Sequence, residues 1–250
     1  MHHYSNSRWL QPEVLENVHE ILALGEIEVM GQVAWGSNFT FLVQLQAKAG
    51  QIPAIYKPEQ GERPLWDFPY GSLSDREVAA YMISQALNWA LVPPTVKRED
   101  APAGPGSLQL CVEADPEIHY FTLSEEQKQR LRPTALFDVI INNADRKSGH
   151  ILIDEERHLW LIDHGVSFHE EYKLRTVVWD FVGEEIPDDL LVPIKDLVAE
   201  LAPGSELYNQ LCSCLAESEI SAIHRRSSSI LENPIFPPPG PGRPYPWPLI

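Results

Sequence analysis

The chain is poor in cysteine and in positive charge. Among 250 residues there are 3 cysteines, Cys111, Cys212 and Cys214. An odd number without framework spacing excludes a disulfide-stapled secreted fold and fits a reducing cytoplasm. Cys212-Ser213-Cys214 has no second Cys/His pair near it in sequence, so it reads as ordinary helix positions. Lys and Arg number 19 against 36 Asp and Glu, a net charge of −17. DNA, RNA and anionic membrane surfaces are polyanions that such a chain repels on average, and its basic stretches, such as His224-Arg225-Arg226, are short. No nucleic-acid partner is expected. No apolar run reaches the ~18 residues of a membrane span. Met1-His2-His3-Tyr4-Ser5 lacks the basic-then-apolar order of a signal peptide, so a cytoplasmic protein is expected. No internal repeat is visible.

What the chain does have is apolar material for a core: 44% hydrophobic residues, with 7 Trp. The length suits one ordinary domain or two small lobes sharing a cleft. Apolar spacing over 9–24 predicts an amphipathic helix starting near Pro12. Residues 26–30, 39–45 and 53–56 read as strands. Residues 74–90 read as a helix capped by Ser72 or Ser74, with Glu77 completing a capping box after Ser74. Residues 95–98 and 107–112 read as two further strands. Beyond Asp115 the pattern turns helical, over 124–142 with a break near Pro133, then 188–201, 206–214 and 217–231. The proline-dense tail predicts extended polyproline or disordered chain, packed on the surface through Phe236, Tyr245 and Trp247. The expected organisation is α+β and bilobal. It has a β-rich lobe over 1–114, a mainly helical lobe over 115–232 and the tail over 233–250.

The densest chemistry lies between Phe137 and Phe168. Asp145 and Asp163 each follow an apolar run and stand 18 positions apart (163 − 145). Between them are two β-like runs, 151–153 and 159–162, joined by the polar turn Asp154-Glu155-Glu156-Arg157. A hairpin with one acid before its first strand and one after its second brings both acids to the same end. Two carboxylates so placed suit phosphoryl transfer from ATP: one orients or deprotonates the acceptor, the other holds Mg²⁺ on the phosphates. Such a site also needs a loop over the phosphates and an anchored cation. The loop candidate runs from Gly31 to Asn38. Its Gly31, Gly36, Ser37 and Asn38 let backbone N–H groups approach phosphate oxygens. The cation candidate is Lys57, closing a short strand, and Glu77 on the next helix is its partner. Taken singly, these read more simply as a hairpin turn, a surface lysine and a solvated helix-terminal glutamate. Asp145 alone could be a turn aspartate. Asp163, following a buried strand with Gly165 two positions later, is harder to dismiss, because a buried acid must be hydrogen-bonded or bind a cation.

The order of these parts carries a resemblance. A Gly-rich turn, strand Lys57, helix Glu77, Asn143-x-Asp145-Arg146 and Ile162-Asp163-x-Gly165 resemble the phosphatidylinositol 3-/4-kinase-like branch of the protein-kinase-like fold, over about 31–181. The chain is similar to type II phosphatidylinositol 4-kinases and HipA-type Ser/Thr kinases. More narrowly, it resembles a bacterial family of phosphatidylinositol 3-/4-kinase-like proteins. The resemblance implies that Lys57 contacts ATP phosphates, Glu77 pairs with it, Asp145 is the acid–base residue and Asp163 the Mg²⁺ ligand. Backbone groups around Gln109 to Glu113 would meet the adenine.

One departure stands out. Five residues after the catalytic acid these kinases place an Asn for the second metal, and here that position is His150. Imidazole is a poorer ligand for hard Mg²⁺ than an amide oxygen, which points to Mn²⁺ tolerance, single-metal catalysis or reduced activity. His164 opens an alternative, a transition-metal set of His150, Asp163 and His164. Lipid kinases of this fold bring a basic or acylated membrane surface, and this chain shows neither, so a lipid acceptor is not expected. The expected activity is ATP- and metal-dependent transfer to a protein or small polar acceptor. A nucleotide-binding pseudokinase and an AMP transferase using the same cleft are the alternatives. Arg175 is suited either to an anionic acceptor or to pairing with the excess acids. The tail is suited to a partner carrying an aromatic-lined groove.

Overall fold

The computed structural model describes residues 7–33 and 39–250. Gly36, Ser37 and Asn38 of the loop candidate therefore lie outside the described residues. Five strands form an antiparallel sheet of order β1-β2-β3-β5-β4: β1 (Glu26–Gln32), β2 (Phe41–Ala47), β3 (Gly50–Pro58), β4 (Thr95–Arg98) and β5 (Gly106–Leu110). Helix α1 (Pro12–Leu24) starts with proline in its first turn, where a missing N–H costs nothing. Its Val18, Ile21 and Leu22 pack with Val43, Leu45, Ala54 and Leu108 into one apolar cluster. Gly50, at φ 140°, allows the chain to turn from β2 into β3. Along β3, Ile52, Ala54 and Tyr56 are buried in that cluster. Side chains alternate across a strand, so Ile55 and Lys57 face the other way.

On that other side lies α2 (Leu73–Ala86), buried over most of its surface. Arg76 pins it to the second half of the molecule: Nη1 donates to the Ser167 carbonyl at 2.6 Å and Nη2 pairs with Glu219 at 2.6 Å. The capping box expected from Ser74 and Glu77 does not form. The Ser74 N–H donates to Glu62 Oε1 at 2.9 Å, and Glu77 is drawn to Lys57 instead. An interior ion pair outcompetes a local cap when the helix start is itself buried.

The second half contains α3 (Glu125–Lys128), α4 (Arg132–Ile141), the hairpin β6 (Ile151–Ile153) and β7 (Leu159–Leu161), then α5 (Asp188–Glu200), α6 (Glu206–Leu211) and α7 (Glu217–Glu232). The helix expected over 124–142 is split by a 3₁₀ turn at Gln129–Leu131, close to Pro133. Leu136, Ile140, Leu161, Ile194, Leu197 and Ile223 centre a second cluster that α2 joins through Ala79, Ala80 and Ile83. The fold is thus the α+β arrangement expected from the sequence, a β-rich half followed by a mainly helical half. Among the described residues no helix is long and apolar enough to cross a membrane. The tail is packed: Phe236 is buried against Phe181, ring centroids 5.4 Å apart, whereas Trp247 stays 75% exposed.

Candidate active site

The loop carrying Asp145 is built from below. α4 stops at Asn142, whose φ of 52° is the left-handed conformation that ends helices. The chain then lies along a second segment: Arg175 N–H donates to Asn143 at 2.8 Å, and Arg146 N–H to the Arg175 carbonyl at 3.0 Å. Beneath it, Asp138 and Arg146 form a fully buried pair at 3.0 Å. Thr176 Oγ1 and Asn143 Nδ2 donate to the same carboxylate. Arg146 Nη1 also reaches the Ile162 carbonyl at 2.8 Å, immediately before Asp163. One guanidinium thereby ties the Asp145 loop to the end of β7. Removing one partner of a buried pair strands the other, so Asp138→Ala is expected to cost ~3–5 kcal/mol in urea unfolding. A loss below ~1 kcal/mol would contradict the bracing role.

Lys57 stands at the centre of the cleft. Its Nζ is 2.5 Å from Glu77 Oε1 and 2.9 Å from Asp163 Oδ1. Glu77 also accepts the backbone N–H groups of His164 at 3.0 Å and Gly165 at 3.2 Å. One helix carboxylate therefore clamps both the strand lysine and the turn carrying Asp163. Burial alone would raise the Glu77 pKa, but Lys57 and His164 outweigh it and bring it to about 2. Burial likewise opposes the Lys57 charge, and Asp163 with Glu77 prevails and raises its pKa. Lys57 holds the Asp163 carboxyl well below the usual range against burial. Its side chain remains 49% exposed, so water screens part of that attraction. Asp163 sits at φ 61°. Such backbone costs a non-glycine residue about 1 kcal/mol or more and persists only where its surroundings enforce it. Here the bonds to Ile162, His164 and Gly165 do so.

Asp145 Oδ2 lies 2.8 Å from Lys147 Nζ. Burial raises the Asp145 pKa, and Lys147 offsets this only in part. Lys147 was missed in sequence, although a cation two positions from the candidate acid, in a chain short of cations, was the available signal. Glu62 was missed too. It lines the cleft with one oxygen buried and without a hydrogen bond, and burial raises its pKa. The cleft holds about 330 Å³, with Val33, Ile55 and Ile162 among its apolar walls. Its charged lining is Lys57 against Glu62, Glu77 and Asp163, net −2 (1 − 3).

His150 Nε2 is 3.3 Å from Asp163 Oδ2, and its Nδ1 accepts the Lys147 N–H at 3.4 Å. That pattern assigns the proton of the neutral ring to Nε2, facing Asp163. Burial holds the His150 pKa down to about 3. As pH falls below ~6.5 the unfolded chain takes up this proton first, so stability is intact above that pH and lost on the way toward 3. Relative to His150→Asn, the wild type is expected to lose about 2 kcal/mol of unfolding free energy between pH 7 and 5. A pH-independent difference would contradict this.

Not every candidate converges. Gln109 sits in β5 between Ile55 and Thr95, and its side chain donates to Thr95 Oγ1 at 2.8 Å. A central strand has both backbone rims occupied, which keeps Gln109 out of the cleft lining. Glu113 lines a separate depression with Trp9 and Asp154. Gly31 lies exposed on β1, beside a register shift. The set of His150, Asp163 and His164 is not assembled. The His164 ring turns inward, edge-on to Phe137 at 5.8 Å, and among the described residues no three His, Cys, Asp or Glu side chains are grouped to hold a metal. Asp163 is the group that could hold a divalent ion, with phosphate and water completing the shell, and His150 could join it only by moving its proton from Nε2 to Nδ1 and giving up the Lys147 N–H.

No family model matches the sequence. Protein Rv2133c of Mycobacterium tuberculosis (strain ATCC 25618 / H37Rv) is 39% identical over 270 aligned positions, spanning 94% of this chain and 96% of that protein. Among solved structures, the Helicobacter pylori proinflammatory kinase CtkA is similar with a TM-score of 0.46 and 11% identity, over 84% of this chain and 97% of that one.

Proposed function

This chain belongs to the family of the mycobacterial Protein Rv2133c, and we propose that it is an ATP- and divalent-metal-dependent phosphotransferase acting on a protein or small polar acceptor. The observation that carries the reading is the double pairing of Lys57 Nζ with Glu77 and Asp163. It supports a cation aimed at phosphate and an acid aimed at a metal from one anchored point. The resemblance of the motifs to phosphatidylinositol 3-/4-kinase-like proteins agrees with it.

In this reading Lys57 grips the phosphates and Glu77 holds it in place. Asp163, with His150 beside it, would hold Mg²⁺ or Mn²⁺, which would supply positive charge against the phosphates. Asp145 accepts the proton of the acceptor hydroxyl. That oxygen bonds to the γ-phosphorus as the bond to the β–γ bridging oxygen breaks, and ADP leaves. Lys147, paired with Asp145, stabilises the developing negative charge. A cleft lined by net −2 repels ATP, itself a polyanion, unless a divalent cation enters with it. Calorimetric titration of ATP with and without Mg²⁺ or Mn²⁺ tests this. Binding is expected only with the metal, and equal affinity without it would overturn the metal-dependent reading.

A further inference from the structure

The proline-rich tail has no part in the chemistry above, yet it bonds directly to the loop that carries it. Its base is fixed by Phe236, whose N–H donates to the Glu184 carbonyl at 2.9 Å and whose own carbonyl accepts from Gly183 at 3.0 Å. Farther along, Pro244 O accepts both Thr176 N–H at 3.1 Å and the Trp179 indole at 3.2 Å. Leu249 O accepts the Ser148 N–H at 2.8 Å. Ser148 is buried and lies between Asp145 and His150, while Thr176 is buried and bonds Asp138 through its hydroxyl. The tail therefore supplies acceptors to both segments that flank Asp145. Two buried N–H groups would lose their partners without it. Residues 233–250 contain 8 prolines, so the segment loses little conformational freedom on docking.

We infer that residues 233–250 are a positioning strap that holds the 145–150 loop and the 175–177 segment in mutual register. Its effect on turnover rests on the phosphotransferase reading, whereas its effect on loop order does not. The test compares the full chain with a protein stopped after Arg243, which keeps the Phe236 anchor. Hydrogen exchange across 143–151 should accelerate at least tenfold with α5 and α7 unchanged. Turnover should fall at least tenfold while the KM for ATP stays within about twofold. Trp179→Phe, which removes one of the bonds to Pro244, should shift exchange in the same direction by less. Unchanged exchange at 143–151 would overturn the strap, as would acceleration spread equally through α5 and α7. A full chain that transfers no phosphoryl group would sink the phosphotransferase reading instead, and exchange alone would then judge the strap.

Discussion

Asp163→Asn is expected to abolish metal-dependent ATP binding while leaving the fold intact. The substitution keeps the size of the side chain and removes its charge. Only neutral His150 is then left beside the metal position, with both ring nitrogens engaged, and imidazole is a poor ligand for hard Mg²⁺. The affinity for ATP with saturating Mg²⁺ should fall by at least ~100-fold, about 3 kcal/mol. The fold should tolerate the change, because the lost ion pair is half exposed and such pairs contribute ~1 kcal/mol or less. A variant that binds ATP·Mg²⁺ like the wild type would remove Asp163 from the metal site. Loss of the melting transition would instead mean that the residue is structural.

Asp145→Ala should separate chemistry from binding. Asp145 is paired to Lys147 rather than to Lys57 and does not line the cleft that holds Lys57 and Asp163. ATP affinity should therefore stay within about threefold, while phosphoryl transfer falls by ~10²–10⁴, the usual effect of a general base. The pH profile carries a second signature. Burial raises the Asp145 pKa, and only the ionised acid can accept a proton. Wild-type turnover should therefore fall as pH drops through a value above the ordinary aspartate pKa. Because Lys147 pulls that pKa down, Lys147→Ala should move the acid limb to higher pH. An unchanged limb would separate Lys147 from the titration of Asp145.

Much of this was legible in the chain because short-range patterns agreed with the final packing. The alternation of Ile52, Ala54 and Tyr56 dictates where Lys57 points, and the 151–162 hairpin brings Asp145 and Asp163 to one end. Residues 95–98 form a strand with the expected bounds. The misreadings share a cause, since each depended on contacts distant in sequence. Ser74 and Glu77 have capping-box spacing, but Lys57 and the 163–165 turn claim the glutamate. The resemblance implied adenine contacts around Gln109 to Glu113, and β5 lies between β3 and β4, a pairing order that sequence does not give. Asp138 was hidden inside an apolar strip, where its partner Arg146 gave no periodic signal. The tail's composition described its conformation, yet nothing in a run of prolines names Ser148 or Thr176 as its partners.

The central claim is that this cleft moves the γ-phosphoryl group of ATP. The direct measurement incubates the purified protein with Mg²⁺ or Mn²⁺ and ATP labelled at the γ- or the α-phosphate, with Asp145→Ala in parallel. The account predicts γ-label transferred or released by the wild type, lost in the variant, and no α-label incorporated. Incorporation of α-label, or γ-label turnover that survives Asp145→Ala, would contradict it.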